Sequence, residues 1–159
     1  MDVAAQVQAL VDEAPEDPSV REGVQVVASV LSEVAQGLGH AQYYVLQNFQ
    51  QQWQVTTLQH RSQTDLQKTV IYAYGSLADA TRMGQSAELM AAPINVVPLL
   101  FQFFSIAEVD SLIFIDAPNN PNQVRELERE DLQVLVESRL SQHVLSKQEA
   151  SGANRTEIA

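Results

Sequence analysis

The chain has 159 residues, 45% hydrophobic and 18% charged, with 20 acidic side chains against 9 basic ones and a formal net charge of −11. That length fits one domain able to bury its own core, and the absence of cysteine excludes disulfides, thiolate metal sites and a Cys nucleophile. The basic residues are scattered, so no phosphate-tracking surface forms and nucleic acid is not an expected partner. No apolar run approaches the roughly 18 residues of a membrane span, and the first ten residues lack a signal-peptide layout. The expectation is a cytoplasmic protein with no membrane span.

Residues 1–12 read as a short helix with Val3, Val7 and Leu10 on one side, broken by the two prolines of APEDPS. A second helix follows. Val20, Val24, Val27, Leu31, Val34 and Leu38 form one apolar stripe. Asp17 or Ser19 can cap it, Pro18 suits its first turn, and Gly37 and Gly39 end it. The stripe either packs on the rest of the domain or serves self-association, which keeps a homodimer open. Residues 1–39 are therefore expected to form a helical N-terminal arm. They hold seven acids against Arg21 alone, which suits either a solvated surface or an acidic face for a basic partner.

From Gln42 the period changes to two, and residues 53–59 and 68–74 read as an antiparallel hairpin joined by a polar turn. Gly75 ends the second strand, Ser76 caps a short helix over 77–83, and Gly84 stops it. A small-residue connector leads to a short edge strand at 94–97 and a very apolar helix at 99–106. Residues 111–116 (SLIFID) read as a buried central strand, 117–123 (APNNPNQ) as a turn, and 125–127 as a brief extension. A last helix from about 128 to 145 points Leu132, Leu135, Val136 and Leu140 inward. Residues 147–159 are expected to be a disordered tail. The fold class is α+β: a small sheet packed with helices over 40–146, with the helical arm before it.

Chemistry-bearing motifs are absent. His40, His60 and His143 lack metal-ligand spacing, and no P-loop, dinucleotide fingerprint, nucleophile elbow or acid/base pair occurs. No metal or cofactor is expected. Asp116 ends an apolar strand, where α/β enzymes place carboxylates, yet the following turn, in which an Asp side chain bonds the backbone two residues on, is the preferred account of it. A dispersed ligand site there would use Asp116, Asn119, Asn120 and Arg125. Phe101, Phe103 and Phe104 crowd one helix, so that helix is buried nearly all round or exposes one aromatic as a contact. Trp53 is another candidate anchor. Candidate protein-contact residues are thus Val27, Leu31, Trp53 and Phe101.

Three segments carry a resemblance: Ile71-Tyr72-Ala73-Tyr74-Gly75-Ser76 at the strand-to-helix step, Leu99-Leu100 ahead of Val109-Asp110 and the SLIFI strand, and Arg125, Leu127 and Leu132 at the start of the closing helix. In this order they resemble the SseB N-terminal domain family over about residues 42–140. Ser111 stands where that pattern has glycine, and Asp116-Ala117-Pro118 replaces an Asn-Pro pair. The resemblance implies a small α+β domain that binds or regulates other proteins, with no catalytic residues to transfer. The leading expectation is a non-catalytic interaction or regulatory module with a protein partner. The alternative is a small-molecule-binding domain or enzyme using the Asp116 end of the strand.

Overall fold

A computed structural model describes residues 2–59, 62, 66–117 and 123–158, with side chains described as far as Gln148. Its elements in chain order are α1 (Val3–Asp12), α2 (Pro18–Gln36), β1 (Gln42–Gln47), β2 (Thr56–Gln59), β3 (Gln67–Tyr74), α3 (Leu77–Met83), β4 (Met90–Asn95), α4 (Val96–Ser105), β5 (Ser111–Ile115), β6 (Val124–Glu128) and α5 (Arg129–Ile158). This is the α+β class expected from the sequence. The local signals act as anticipated at three helix ends. The Asp17 carboxylate accepts from Ser19 N–H at 2.9 Å, with Pro18 in the first turn. Ser76 Oγ accepts from Asp79 N–H at 3.1 Å, and Gly84 ends α3.

The six strands form one mixed sheet ordered β4-β1-β3-β5-β6, with β2 also on β3. The β3–β5 pair is parallel and every other pair is antiparallel. β1 pairs with β3 at Ala73 and Tyr74, whereas β2 pairs with Gln67 through Val70. The two strands therefore lie end to end along one edge of β3. Between them Trp53 bridges back to Gln47, so the hairpin strand begins at Thr56 rather than at Trp53. The edge strand expected at 94–97 is instead β4, and α4 starts at Val96 because Pro98 is tolerated within a helix's first turn. The turns at 60–66 and 117–123 fall mostly outside the described residues.

Four helices pack on one face of the sheet. Tyr43, Val45, Ile71, Ala73, Leu112 and Phe114 point into that layer and meet Val30, Leu31 and Ala35 of α2, Leu99, Leu100 and Phe103 of α4, and Leu132 and Val136 of α5. Residues 2–39, whose placement the sequence left open, pack on the domain. Val3, Val7 and Leu10 of α1 and Val27, Val34 and Leu38 of α2 all pack against the same core. The α2 stripe is satisfied within the domain, and Val20 at its start stays exposed. In α5 the inward residues are Leu132, Val136 and Leu140, spaced by four. Leu135 falls off that face and is exposed, contrary to its expected inward position. Helical backbone continues to Ile158 across the stretch expected to be disordered. Lys147, Gln148, Glu149 and Ala150 are good helix formers without a packing period, so propensity extends what periodicity does not.

One buried polar residue organises the N-terminal packing. Gln6, 1% exposed, lies among the apolar residues of α1. Its amide nitrogen donates to Ala41 C=O at 2.9 Å, and its Oε1 accepts from Val97 N–H at 2.9 Å. Asn95 precedes α4 without a side-chain cap bond. Gln6 therefore supplies, from a remote helix, an acceptor that the first turn of α4 requires.

Candidate functional site

The parallel strands β3 and β5 end side by side, and Asp116 emerges there. Its carboxylate, only 10% exposed, accepts a hydrogen bond from the Tyr43 hydroxyl at 2.9 Å and lies 3.7 Å from Nε2 of the more open His40. His40 and Phe114 each meet the Tyr43 ring edge-on, at centroid distances of 5.4 and 4.9 Å. Burial, followed by the hydrogen bond to Asp116, raises the Tyr43 hydroxyl above the ordinary tyrosine range. The cluster is tightly packed. A Cβ at Gly39 would lie 2.6 Å from Asp116 Oδ2, and one at Gly75 would lie 2.8 Å from His40 Nε2. These glycines let the α2 exit and the β3 exit approach the carboxylate.

Arg125, offered with Asp116 as a ligand contact, does not join it. Its guanidinium donates to Gly37 C=O and clamps β6 to the end of α2. Asn119 and Asn120 lie outside the described residues. What assembles at Asp116 is a polar lock among the α2 exit, β1 and β5, built on Tyr43 and His40. Sequence spacing gave no hint of these partners, because Tyr43 stands 73 positions from Asp116.

The candidate protein contacts are mostly interior. Leu31 is fully buried, so it offers nothing to a partner of the folded chain. Val27, Trp53 and Phe101 are partly buried and pack against the same core. Phe103 is buried and Phe104 is half-buried, so α4 is covered nearly all round. Its Phe101 side borders a groove of about 360 Å³ beside Leu10 and Pro98. The apolar periodicities reported core, as they do in most helices.

A different surface is left over. The strand registers place Tyr44 and Leu46 of β1, Val70, Tyr72 and Tyr74 of β3, Ser111, Ile113 and Ile115 of β5, and Val124, Glu126 and Glu128 of β6 on the face opposite the four helices. On that face, among the described residues, α3, seven residues long, packs on Leu46 and Tyr74 through Ala80, with Tyr44, Tyr72, Ala91 and Ile115 around them, and Val70 and Ser111 are also fully buried. Tyr72 stacks on Tyr74 at 6.3 Å. Tyr72, Ile113 and Ile115 remain partly exposed, and Val124 beside them is 40% exposed.

The far end of this face is charged. Lys68 Nζ bonds Glu126 and lies 3.3 Å from Glu128, and Ser111 Oγ donates to Glu126 at 2.7 Å. The hydrogen bond to Glu126 chiefly raises the Lys68 ammonium, and that same bond holds the Glu126 carboxyl below its ordinary value. One cation thus serves two carboxylates.

Other features are self-satisfied. A cleft of about 540 Å³ at the start of α5 is lined by Lys68 and Arg129 against Asp110, Glu128 and Glu130. There Asp110 accepts from Thr69 N–H at 2.9 Å, and Arg129 donates to Phe104 C=O. Between α2 and α5, Arg139 bonds Glu33 through its two terminal guanidinium nitrogens, while His143 and Lys147 both bond Glu22 at 2.8 Å. The 48–52 turn, with Gln51 at φ 64°, holds Phe49 72% exposed as a solitary aromatic. Among the described residues no group of three or more His, Asp or Glu side chains converges as a metal site, and no helix is long and apolar enough to cross a membrane.

Comparison with known proteins gives no match: no family model, no curated protein and no solved structure aligns with the chain at a significant level.

Proposed function

We propose that this protein is a non-catalytic protein-interaction module of the cytoplasm, the role its resemblance to the SseB N-terminal domain implies, and that it binds its partner through the open half of the sheet. One observation carries the reading. Among the described residues, four helices cover one face of the sheet, whereas the seven-residue α3 covers part of the other, where Tyr72, Ile113 and Ile115 stay partly exposed and Val124 is 40% exposed. A sheet with apolar residues on both faces calls for cover on both. Contiguous apolar surface on a folded domain marks an interaction site far more often than single exposed residues do. Tyrosine on such a face suits an interface, since it combines a large apolar ring with a polar tip. The reading moves the contact away from Val27, Leu31, Trp53 and Phe101, which the core already uses.

The test is affinity capture from native lysate with quantitative mass spectrometry, comparing the wild-type chain with Ile113→Asp and with Val134→Asp on the exposed side of α5. Thermal melts confirm that each variant folds. The expected result is one stoichiometric partner that Ile113→Asp loses and Val134→Asp keeps. A partner retained by Ile113→Asp, or lost equally by both variants, refutes the assignment of this face.

A further inference from the structure

We infer that the occupant of the open sheet face is a single amphipathic helix of the partner, apolar on one side and flanked by lysine or arginine. This deepens the reading above and rests on it. The size follows from the strand spacing. β3, β5 and β6 are successive neighbours, so their outer surface spans about 10 Å, two intervals of roughly 4.8 Å. One α-helix with its side chains is about 10 Å across. α3 already occupies the β1 and β4 side of this face through Leu46 and Tyr74. A helix laid beside α3 over Tyr72, Ile113 and Ile115 completes the second layer.

The charge follows from the rim. Next to the apolar strip, Glu126 and Glu128 share Lys68, which leaves this end one negative charge in excess. At the α3 border Asp79 and Arg82 cancel each other. The whole chain carries −11, so a second copy would bring like charge against like charge, whereas a basic flank is attracted to the Glu126 and Glu128 rim. An occupant with an apolar centre and cationic flanks satisfies both halves of the surface.

The test uses two designed helical peptides of about five turns, identical on a leucine-rich face, one flanked by lysine and the other by glutamate. Binding to the full chain is read by fluorescence anisotropy at low and physiological salt. The expected result is that the lysine peptide binds at least about tenfold tighter than the glutamate peptide. Ile113→Asp should weaken the lysine peptide by about tenfold or more. That direction is decisive, because Ile113→Asp adds a negative charge: attraction by net charge alone would tighten binding. The double variant Glu126→Gln with Glu128→Gln should weaken it less and flatten its salt dependence.

Equal binding of both peptides, or lysine-peptide binding unchanged or tightened by Ile113→Asp, overturns the inference. A dimer in sedimentation that Ile113→Asp abolishes also overturns it, since the occupant is then a second copy. The two failures separate cleanly. If Ile113→Asp loses the captured partner while the peptide result fails, the sheet face stands and the basic helix falls. If neither responds to Ile113→Asp, both fall.

Discussion

Replacing Gln6 with leucine keeps most of the side-chain volume and deletes its hydrogen bonds to Ala41 and Val97. In the folded chain this strands two main-chain groups: Val97 N–H in the first turn of α4 and Ala41 C=O at the entrance to β1. Both the Gln6 and Val97 side chains are buried, so water does not readily replace the lost partner. A buried unsatisfied polar group costs about 1–3 kcal/mol, which puts Gln6→Leu at roughly 2–4 kcal/mol after partial relaxation. For a chain of this length that corresponds to a fall in Tm on the order of 10 °C. Urea denaturation checks the free energy, with an unchanged m-value to confirm the same extent of unfolding. Amide exchange at Val97 checks the mechanism, since its N–H should lose protection while the sheet core keeps its own. Gln8→Leu on the exposed side of α1 is the control, where the Gln8 amide bonds Asp12. A Gln6→Leu variant within about 0.5 kcal/mol of wild type, with Val97 still protected, would refute the claim that α1 caps α4.

Other expectations follow from the same structure. Leu31→Ala should cost about 2–5 kcal/mol as a core truncation, measured by urea denaturation, and the captured partner should survive in the fraction that stays folded. Gly39→Ala should destabilise by about 1–3 kcal/mol, because its new Cβ meets a carboxylate already held by Tyr43. The Tyr43 hydroxyl is raised by burial and by Asp116, so its contribution is fully present below the ordinary tyrosine value near 10 and fades as pH rises above it. Tyr43→Phe should therefore flatten the loss of urea midpoint between about pH 9 and 11. Tyr74, raised by burial and then by Tyr72, and Lys68, raised chiefly by its bond to Glu126, contribute to the dependence that remains. Glu22 and Glu33 are lowered, chiefly by their bonds to Lys147 and Arg139, so the α2–α5 pairing is present above the ordinary carboxylate range and is lost as pH falls through it. Amide protection along α5, corrected for the intrinsic pH dependence of exchange, should fall below about pH 4, and Glu22→Gln with Glu33→Gln should remove that change.

The α2 stripe, the Asp17 and Ser76 caps and the Gly37 and Gly84 stops were readable because each is a local rule acting within a few residues. Gln6 was readable in principle, as a polar side chain sharing a helical face with Val3 and Leu10. Its partners at Ala41 and Val97 lie far along the chain. The same distance hid Tyr43 from Asp116, whose following turn suggested only a local role. The SLIFI pattern announced a strand apolar on both faces. Whether anything covers the second face depends on the length and placement of α3, which no strand pattern encodes. Whether the α2 stripe at Val27 and Leu31 faces its own domain was not readable for a related reason. A helical apolar stripe is identical in sequence whether it meets its own domain or a partner, and here the domain uses it.

Isoleucine methyl NMR of the chain with its captured partner tests whether the open sheet face is the contact surface. Ile113 and Ile115 lie on that face, whereas Ile71 is buried on the opposite side of β3. A partner seated on this face should shift and broaden the Ile113 and Ile115 methyl signals while Ile71 stays in place. Partner binding that leaves Ile113 and Ile115 unmoved would contradict that assignment.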